Sequence, residues 1–456
     1  MLRRAAVALF IASVCCALRA GDQTPVYKLL YSPPTGTSGG QPFAILEVEP
    51  GVFYSAGYYE NSGVGGSIFS VTATGAYKQV YVFPGNTLLN TLVQGANGLL
   101  YGSATISTGH PSFFYYSVSP SGQNPKQYPM PAGWESGLFT IVAPPGEFYD
   151  VIGTTTGNPL GIPAFARISE TGKVTILYQF SASDGYPDPV YGLVCGSDGN
   201  VYGIATQQPL GEGAGFLYRS SPSGVFTPFP IPSVSLASGY TEALVAGTDG
   251  NLYAPYVLGG VNNTGQIYQA TLSGQFSTVA SFPAMRGCNY GCGPGTLLQA
   301  SDGNFYGTTN NSNRIFRYNP STGQLSMVYQ LTGSQGLCAC QLIEGMDGKL
   351  YFVTTRGGNS PGIGAIFSLD VGLPKPEPVV SGLYPASGPV GQSVILWGNY
   401  LLGAKSVTFN GTPATSFRAT SVHSVQVTVP LGATTGPVTI ATANGSYTTI
   451  NSFTVQ

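Results

Sequence analysis

The chain has 456 residues, only 8% of them charged, and a formal net charge of −2. Its 17 Lys and Arg residues are scattered, which excludes the clustered basic surface that a nucleic-acid partner needs, and 43% apolar with 12% aromatic residues excludes a disordered acidic chain. The 64 Gly and 35 Pro residues punctuate many short strands, so the expectation is all-β, with material for one large repeat domain and a smaller one.

Residues 1–20 have the layout of a secretory signal peptide. Arg3 and Arg4 form the charged end, Ala5 to Ala17 the apolar stretch, and Ala20 a small residue for cleavage before Gly21. The apolar run is short for a bilayer span and no second candidate follows, so no transmembrane segment is expected in the mature chain. Cys15 and Cys16 follow Ala-Ser-Val rather than the leucine-bearing run of a lipoprotein. The expected product is bacterial and exported: secreted, or associated with the cell envelope, on the extracellular or periplasmic side.

From residue 26 onward one phrase recurs: SDGNVYG at 197, TDGNLYA at 248, SDGNFYG at 301 and MDGKLYF at 346. Aligned on its tyrosine it gives seven copies, at Tyr54, Tyr101, Tyr149, Tyr202, Tyr253, Tyr306 and Tyr351, spaced 45 to 53 residues apart. That is the period of a four-stranded propeller blade. A glycine stands three positions before each tyrosine. Four copies have Asp-Gly there and one has Asn97-Gly98, which predicts a two-residue hairpin with positive φ at both central positions. Pro50 and Pro145 precede the other two glycines, where a type II turn is expected. Strands follow in each unit, as in TLLQA (296–300), NFYGTT (304–309), RIFRYN (314–319) and QLSMVYQL (324–331). The seventh unit lacks a fourth strand, and VYKLLYS (26–32) stands alone before the first. Pairing the two closes a ring and removes its edges. The predicted fold is therefore a seven-bladed β-propeller over 26–373, closed by its N-terminal strand; an open solenoid of the same units is the alternative. A Pro-rich linker at 374–378 precedes short strands over 379–456 that suit an immunoglobulin-like β-sandwich.

Two resemblances rest on these residues. The D-G-N-x-Y-G unit and the strands after it, over 26–373, resemble the GloVer repeats of exported bacterial proteins with varied surface anchors. The P-x-S-G-P-x-G-x-x-V-x-L-x-G run of Pro385 to Gly398, with VTFNGTPAT (407–415) and Val429-Pro430, resembles an IPT/TIG domain. The resemblance implies an exported or surface-associated repeat protein with no common chemistry; the chain ends on SFTVQ, without the anchor of the anchored members.

Residues fit for chemistry are few. The turn aspartates Asp198, Asp249, Asp302 and Asp347 read as turn formers, one per unit and far apart. His110 and His423 fall in different domains, so no nucleophile–base pair is expected. The loops leading into the innermost strands carry Glu135, Asp184, Asp188, Glu242 and Arg286, and two such acids could act as a pair. The same loops carry Trp134, Tyr186, Tyr191, Tyr240 and Tyr290, whose rings suit sugars or peptides; packing at the junctions between units is the competing reading. Cys288, Cys292, Cys338 and Cys340 are disulfide candidates in an exported chain, with at least one bridge between adjacent units and zinc as the alternative. Cys195 reads as a small buried apolar residue. No cofactor or metal is expected. The favoured function is non-catalytic binding of an extracellular polysaccharide or a cell-surface protein at the propeller mouth. The alternatives are a carbohydrate-active or lyase-type enzyme using carboxylates at that mouth, and a purely structural protein.

Overall fold

The computed structural model describes residues 24–456 apart from 34–39, 59–64, 108–111, 136, 138–140, 144–145, 155–162, 182–191, 207–214, 232–243, 258, 284–292, 310–312, 333–336 and 359–362. Among the described residues every regular element is a strand, and the strands form nine sheets. Seven of them, taken here in chain order as the first to seventh, follow one plan: antiparallel meanders of four strands, in three of which the innermost strand is broken into two. The sixth shows the plan, with Leu298–Gln299, Phe305–Thr308, Arg314–Asn319 and Gln324–Gln330 side by side. Its innermost strand is shorter than the sequence pattern predicts. The two middle strands of a unit are nearly continuous buried runs, as in Leu252–Tyr256, because the sheet is covered on both faces. The outer strands are exposed or half-buried throughout, as in Tyr77–Val82, because they meet solvent.

The seventh sheet is composite. Val26–Tyr31 pairs antiparallel with Ala365–Asp370, in a register running from Val26 opposite Asp370 to Tyr31 opposite Ile366. The chain's beginning thus supplies the outer strand that the last unit lacks. Apolar clusters join each sheet to the next. Tyr202, Leu217 and Ile231 of the fourth pack with Leu252, Tyr256 and Tyr268 of the fifth; Tyr253, Ile267 and Phe282 of the fifth pack with Phe305 and Phe316 of the sixth. The series does not stop at the seventh: its Leu30, Tyr351, Val353 and Ile366 pack with Ile45, Phe53, Phe69 and Val71 of the first. Burying an aromatic ring of this size is worth roughly 1.5–3 kcal/mol, so each junction holds through several such rings.

Residues 371–378 carry no regular structure. After them, Val379–Tyr384, Ser393–Asn399, Phe417–Ser421 and Ser424–Thr428 form one sheet. A second sheet is built around Ser406–Phe409, Gly436–Ala441 and Ser446–Val455. Val394, Leu396, Val407, Phe409, Val425, Val438, Ile440 and Phe453 fill the space between them.

Candidate functional site

The repeated turn accounts for its own aspartate. In Asp302 one carboxylate oxygen accepts the Asn304 N–H at 3.0 Å, and the other accepts the Asn304 side-chain amide at 2.7 Å and the Tyr306 hydroxyl at 3.0 Å. Asp198 and Asp249 repeat the set with Asn200, Tyr202, Asn251 and Tyr253. Asp347 does so with Tyr351 and the Lys349 ammonium at 3.0 Å. Burial alone would raise Asp198 and Asp249, but the hydrogen bonds from Asn200 and Tyr202, and from Asn251 and Tyr253, outweigh it and hold both below the usual carboxylate range. Asn97 serves in the second unit, through Leu99 N–H and the Tyr101 hydroxyl. The turn differs from the two-residue hairpin predicted. Only its glycine has positive φ, 77° at Gly199 and 79° at Gly303. The bonds Gly199 N–H to Gly196 O and Gly196 N–H to Asn200 O make it a three-residue loop closed by a left-handed glycine. The aspartate stays right-handed because its carboxylate is tied to the residue two positions on.

A second repeated position escaped the sequence reading. Four residues before the turn glycine, on the innermost strand, stand Glu47, Gln94, Cys195, Gln299 and Glu344. Three of these reach back to the turn of the preceding sheet. Gln299 Oε1 accepts Thr248 N–H at 2.7 Å, Glu344 Oε2 accepts Ser301 N–H at 2.8 Å, and Glu47 Oε2 accepts Met346 N–H at 2.8 Å. The last of these ties the first sheet to the seventh. Burial pushes the Glu47 carboxyl up to about 7, against the opposing bonds from Gly51 and Met346. The Cys195 thiol, pushed up to about 12 by burial, is no nucleophile at neutral pH. The common register was the available signal.

The C-terminal sheets sit on this turn end. Tyr400 OH donates to Glu344 Oε2 at 2.6 Å, and Asn444 Nδ2 to the Met346 carbonyl at 2.8 Å. A Cβ at Gly98 would lie 3.5 Å from Arg418 Nη2, and one at Gly403 would lie 3.6 Å from Pro50 Cγ. The C-terminal sheets therefore touch the first, second and seventh sheets at their turns, and the segment leading to them reaches the sixth through the Pro374 carbonyl and Ser301 Oγ.

At the opposite end, Trp134–Glu135 pairs with the far end of Glu147–Thr154, Trp134 lying opposite Thr154. That is about 25 Å of strand from the turn at Gly146. The Trp134 ring is half-buried and packs on the cluster of Tyr101, Tyr115 and Phe148, so part of it performs the packing role. Nearby, fully buried Asp150 accepts the Tyr115 hydroxyl at 2.9 Å. Tyr186, Tyr191, Tyr240, Tyr290, Asp184, Asp188, Glu242, Arg286 and His110 lie outside the described residues, as do Cys288 and Cys292 and the side chains of Cys338 and Cys340. His423 faces Trp397, with Nδ1 2.9 Å from the Gly398 carbonyl. Among the described residues no three His, Cys, Asp or Glu side chains could hold a metal together, no disulfide is present, and no helix is long and apolar enough to cross a membrane.

Residues 189–406 match the family model described as the Gloeobacter/Verrucomicrobia repeat. No curated protein matches the chain. Among solved structures, a streptogramin B lyase is 16% identical over 76% of this chain and 97% of its own, with a TM-score of 0.52. A virginiamycin B lyase from Staphylococcus aureus with quinupristin is 18% identical over 75% and 99%, with a TM-score of 0.52. An oligogalacturonate lyase in complex with manganese is 12% identical over 76% and 96%, with a TM-score of 0.51. At such identities the likeness is one of fold alone. The matches support the repeat family and an all-β, propeller-like architecture for this chain.

Proposed function

We propose that this chain is an exported or cell-envelope repeat protein that binds an extracellular polysaccharide or other cell-surface polymer without transforming it. In this reading the seven sheets are the blades of one closed propeller, 374–378 is a linker, and 379–456 is an IPT/TIG immunoglobulin-like unit. The binding face is the end away from the Asp-Gly turns. The observation that carries the reading is the division of labour between the ends. The turn end spends its carboxylates on its own loops and is covered in part by the C-terminal sheets. The other end keeps a half-exposed tryptophan, Trp134, at a strand terminus. An indole face of this kind suits flat contact with a sugar ring. A glycan and cell-wall-polymer array on the secreted chain is the test, with product analysis of every hit. Binding lost in Trp134→Ala and Tyr240→Ala, with no product released, supports the reading. Retained binding by both variants rejects the site, and product formation rejects the absence of chemistry.

A further inference from the structure

The contact between the C-terminal sheets and the ring centres on one carboxylate. Glu344 is 6% exposed, and its Oε2 receives Ser301 N–H at 2.8 Å and Tyr400 OH at 2.6 Å. Its Oε1 touches Ser301 Oγ. Ser301 Oγ also lies 2.9 Å from the carbonyl oxygen of Pro374, in the segment leading to the C-terminal sheets. A serine hydroxyl has a single hydrogen, and a proline carbonyl has none to give. That one hydrogen has two acceptors, and both contacts are satisfied together only when Glu344 Oε1 carries a proton of its own and donates it to Ser301 Oγ. The charged surroundings point the same way. Asp302 adjoins Ser301, Tyr400 lies in the field of Glu344, Asp302 and Glu47, and the nearby ammonium of Lys349 is committed to Asp347 at 3.0 Å.

We propose that Glu344 is a proton-holding latch: the C-terminal sheets dock on the turn end of the ring with Glu344 protonated, and loosen from it when that proton leaves. This goes beyond the binding reading and does not depend on it. Burial raises the Glu344 carboxyl, against the hydrogen bonds from Ser301 and Tyr400. Undocking exposes it to water and returns it toward the ordinary carboxylate range. A carboxyl whose pKa is raised in the docked state favours docking fully below its ordinary value, and that contribution is lost as pH climbs through the docked value. Docking is therefore tight in mild acid and weak in alkali. Tyr400 is committed to the contact at some expense, since its φ of 57° lies in the left-handed region that disfavours a non-glycine residue.

The test uses the full chain between pH 5 and 9, by small-angle scattering and by hydrogen exchange at the Ser301 amide, corrected for intrinsic rates. The expected result is a larger radius of gyration and at least ten-fold lower protection at the alkaline end. Glu344→Gln should flatten both profiles, because a neutral amide can accept from Ser301 N–H and Tyr400 and donate to Ser301 Oγ. Ser301→Ala removes the hydroxyl that shares the proton with Glu344 and should move the release midpoint, which keeps the test decisive should Glu344→Gln not fold. A constant radius of gyration in the wild type, a wild-type slope in Glu344→Gln, or an unmoved midpoint in Ser301→Ala overturns the proposal.

Discussion

Within the turn, each letter of the repeated phrase has a separate physical duty. Asp302 anchors Asn304 and Tyr306, Gly303 supplies the left-handed φ, and Tyr306 carries the carboxylate's third bond from inside the sheet. The glycine after the tyrosine makes room. A Cβ on Gly203 would come within 2.3 Å of the Tyr218 hydroxyl, and one on Gly307 within 2.4 Å of the Phe316 ring. Gly199, by contrast, has nothing within 4 Å and needs only its φ of 77°. Gly203→Ala should therefore destabilise through overpacking by about 1–3 kcal/mol, and Gly199→Ala by about 1 kcal/mol through strain alone; urea unfolding of the two variants measures the gap. Asp302→Ala removes the acceptor of the Tyr306 hydroxyl and of the Asn304 N–H and side-chain amide, at a cost of roughly 1–3 kcal/mol. Asp302→Asn should lose less than half of that, since Asn97 does the same work in the second unit. The depressed values at Asp198 and Asp249 make their contribution complete above the ordinary carboxylate range and lost as pH falls through their lower folded values. Acid should thus loosen the turns while alkali loosens the latch at Glu344.

Along one strand, the sequence spoke clearly about period and poorly about partners. Spacing and alternation predicted the strands, because a four-stranded unit buried on both faces must repeat its apolar run at one interval. The turn type was misread because Asp-Gly is the common signature of the two-residue hairpin, and only the tie from Asp to Asn two residues later selects the longer loop. Glu47 and Glu344 were passed over because acids were sought on loops, where catalysis would need them, rather than inside a strand. Tyr186, Tyr191, Tyr240 and Tyr290 lie outside the described residues, and Trp134 packs in part against Tyr101, Tyr115 and Phe148. The latch position itself gives a sharp comparison. Gln299 satisfies Thr248 N–H with its Oε1 and the Gly303 carbonyl with its Nε2. Gln94 makes only the second of these bonds, to Gly98, and its Oε1 is buried without a partner. Gln299→Leu therefore loses two hydrogen bonds, where Gln94→Leu loses one and also removes an orphan acceptor. The first should cost about 1–2 kcal/mol more than the second in chemical denaturation.

For the molecule as a whole, the decisive interaction joins residues more than 330 positions apart: Val26–Tyr31 against Ala365–Asp370. Every other sheet in the ring is made from one continuous stretch, so it forms early and locally; the seventh waits for both ends of the repeat region. Until it closes, Ala365–Asp370 is an unpaired edge beside buried Phe367 and Phe352, the kind of surface that seeks another chain. Tyr27 stacks on Tyr329 of the sixth sheet and Leu30 packs with Phe53 and Phe69 of the first, so the N-terminal strand serves two junctions at once. Removing residues 24–32 should leave the other sheets folded but open the seventh. The expected signs are a lower, broader unfolding transition in calorimetry and concentration-dependent association in size-exclusion chromatography. A synthetic peptide VYKLLYS, added in excess, should reverse both by refilling the vacant edge, whereas a peptide with Leu29 and Leu30 replaced by Lys should not, since it keeps the backbone hydrogen bonds but cannot enter the two apolar junctions. A truncated chain that stays monomeric with an unchanged transition would mean that the first and seventh sheets hold together without the shared strand, and the ring would owe its closure to the Glu47–Met346 tie and the C-terminal sheets instead.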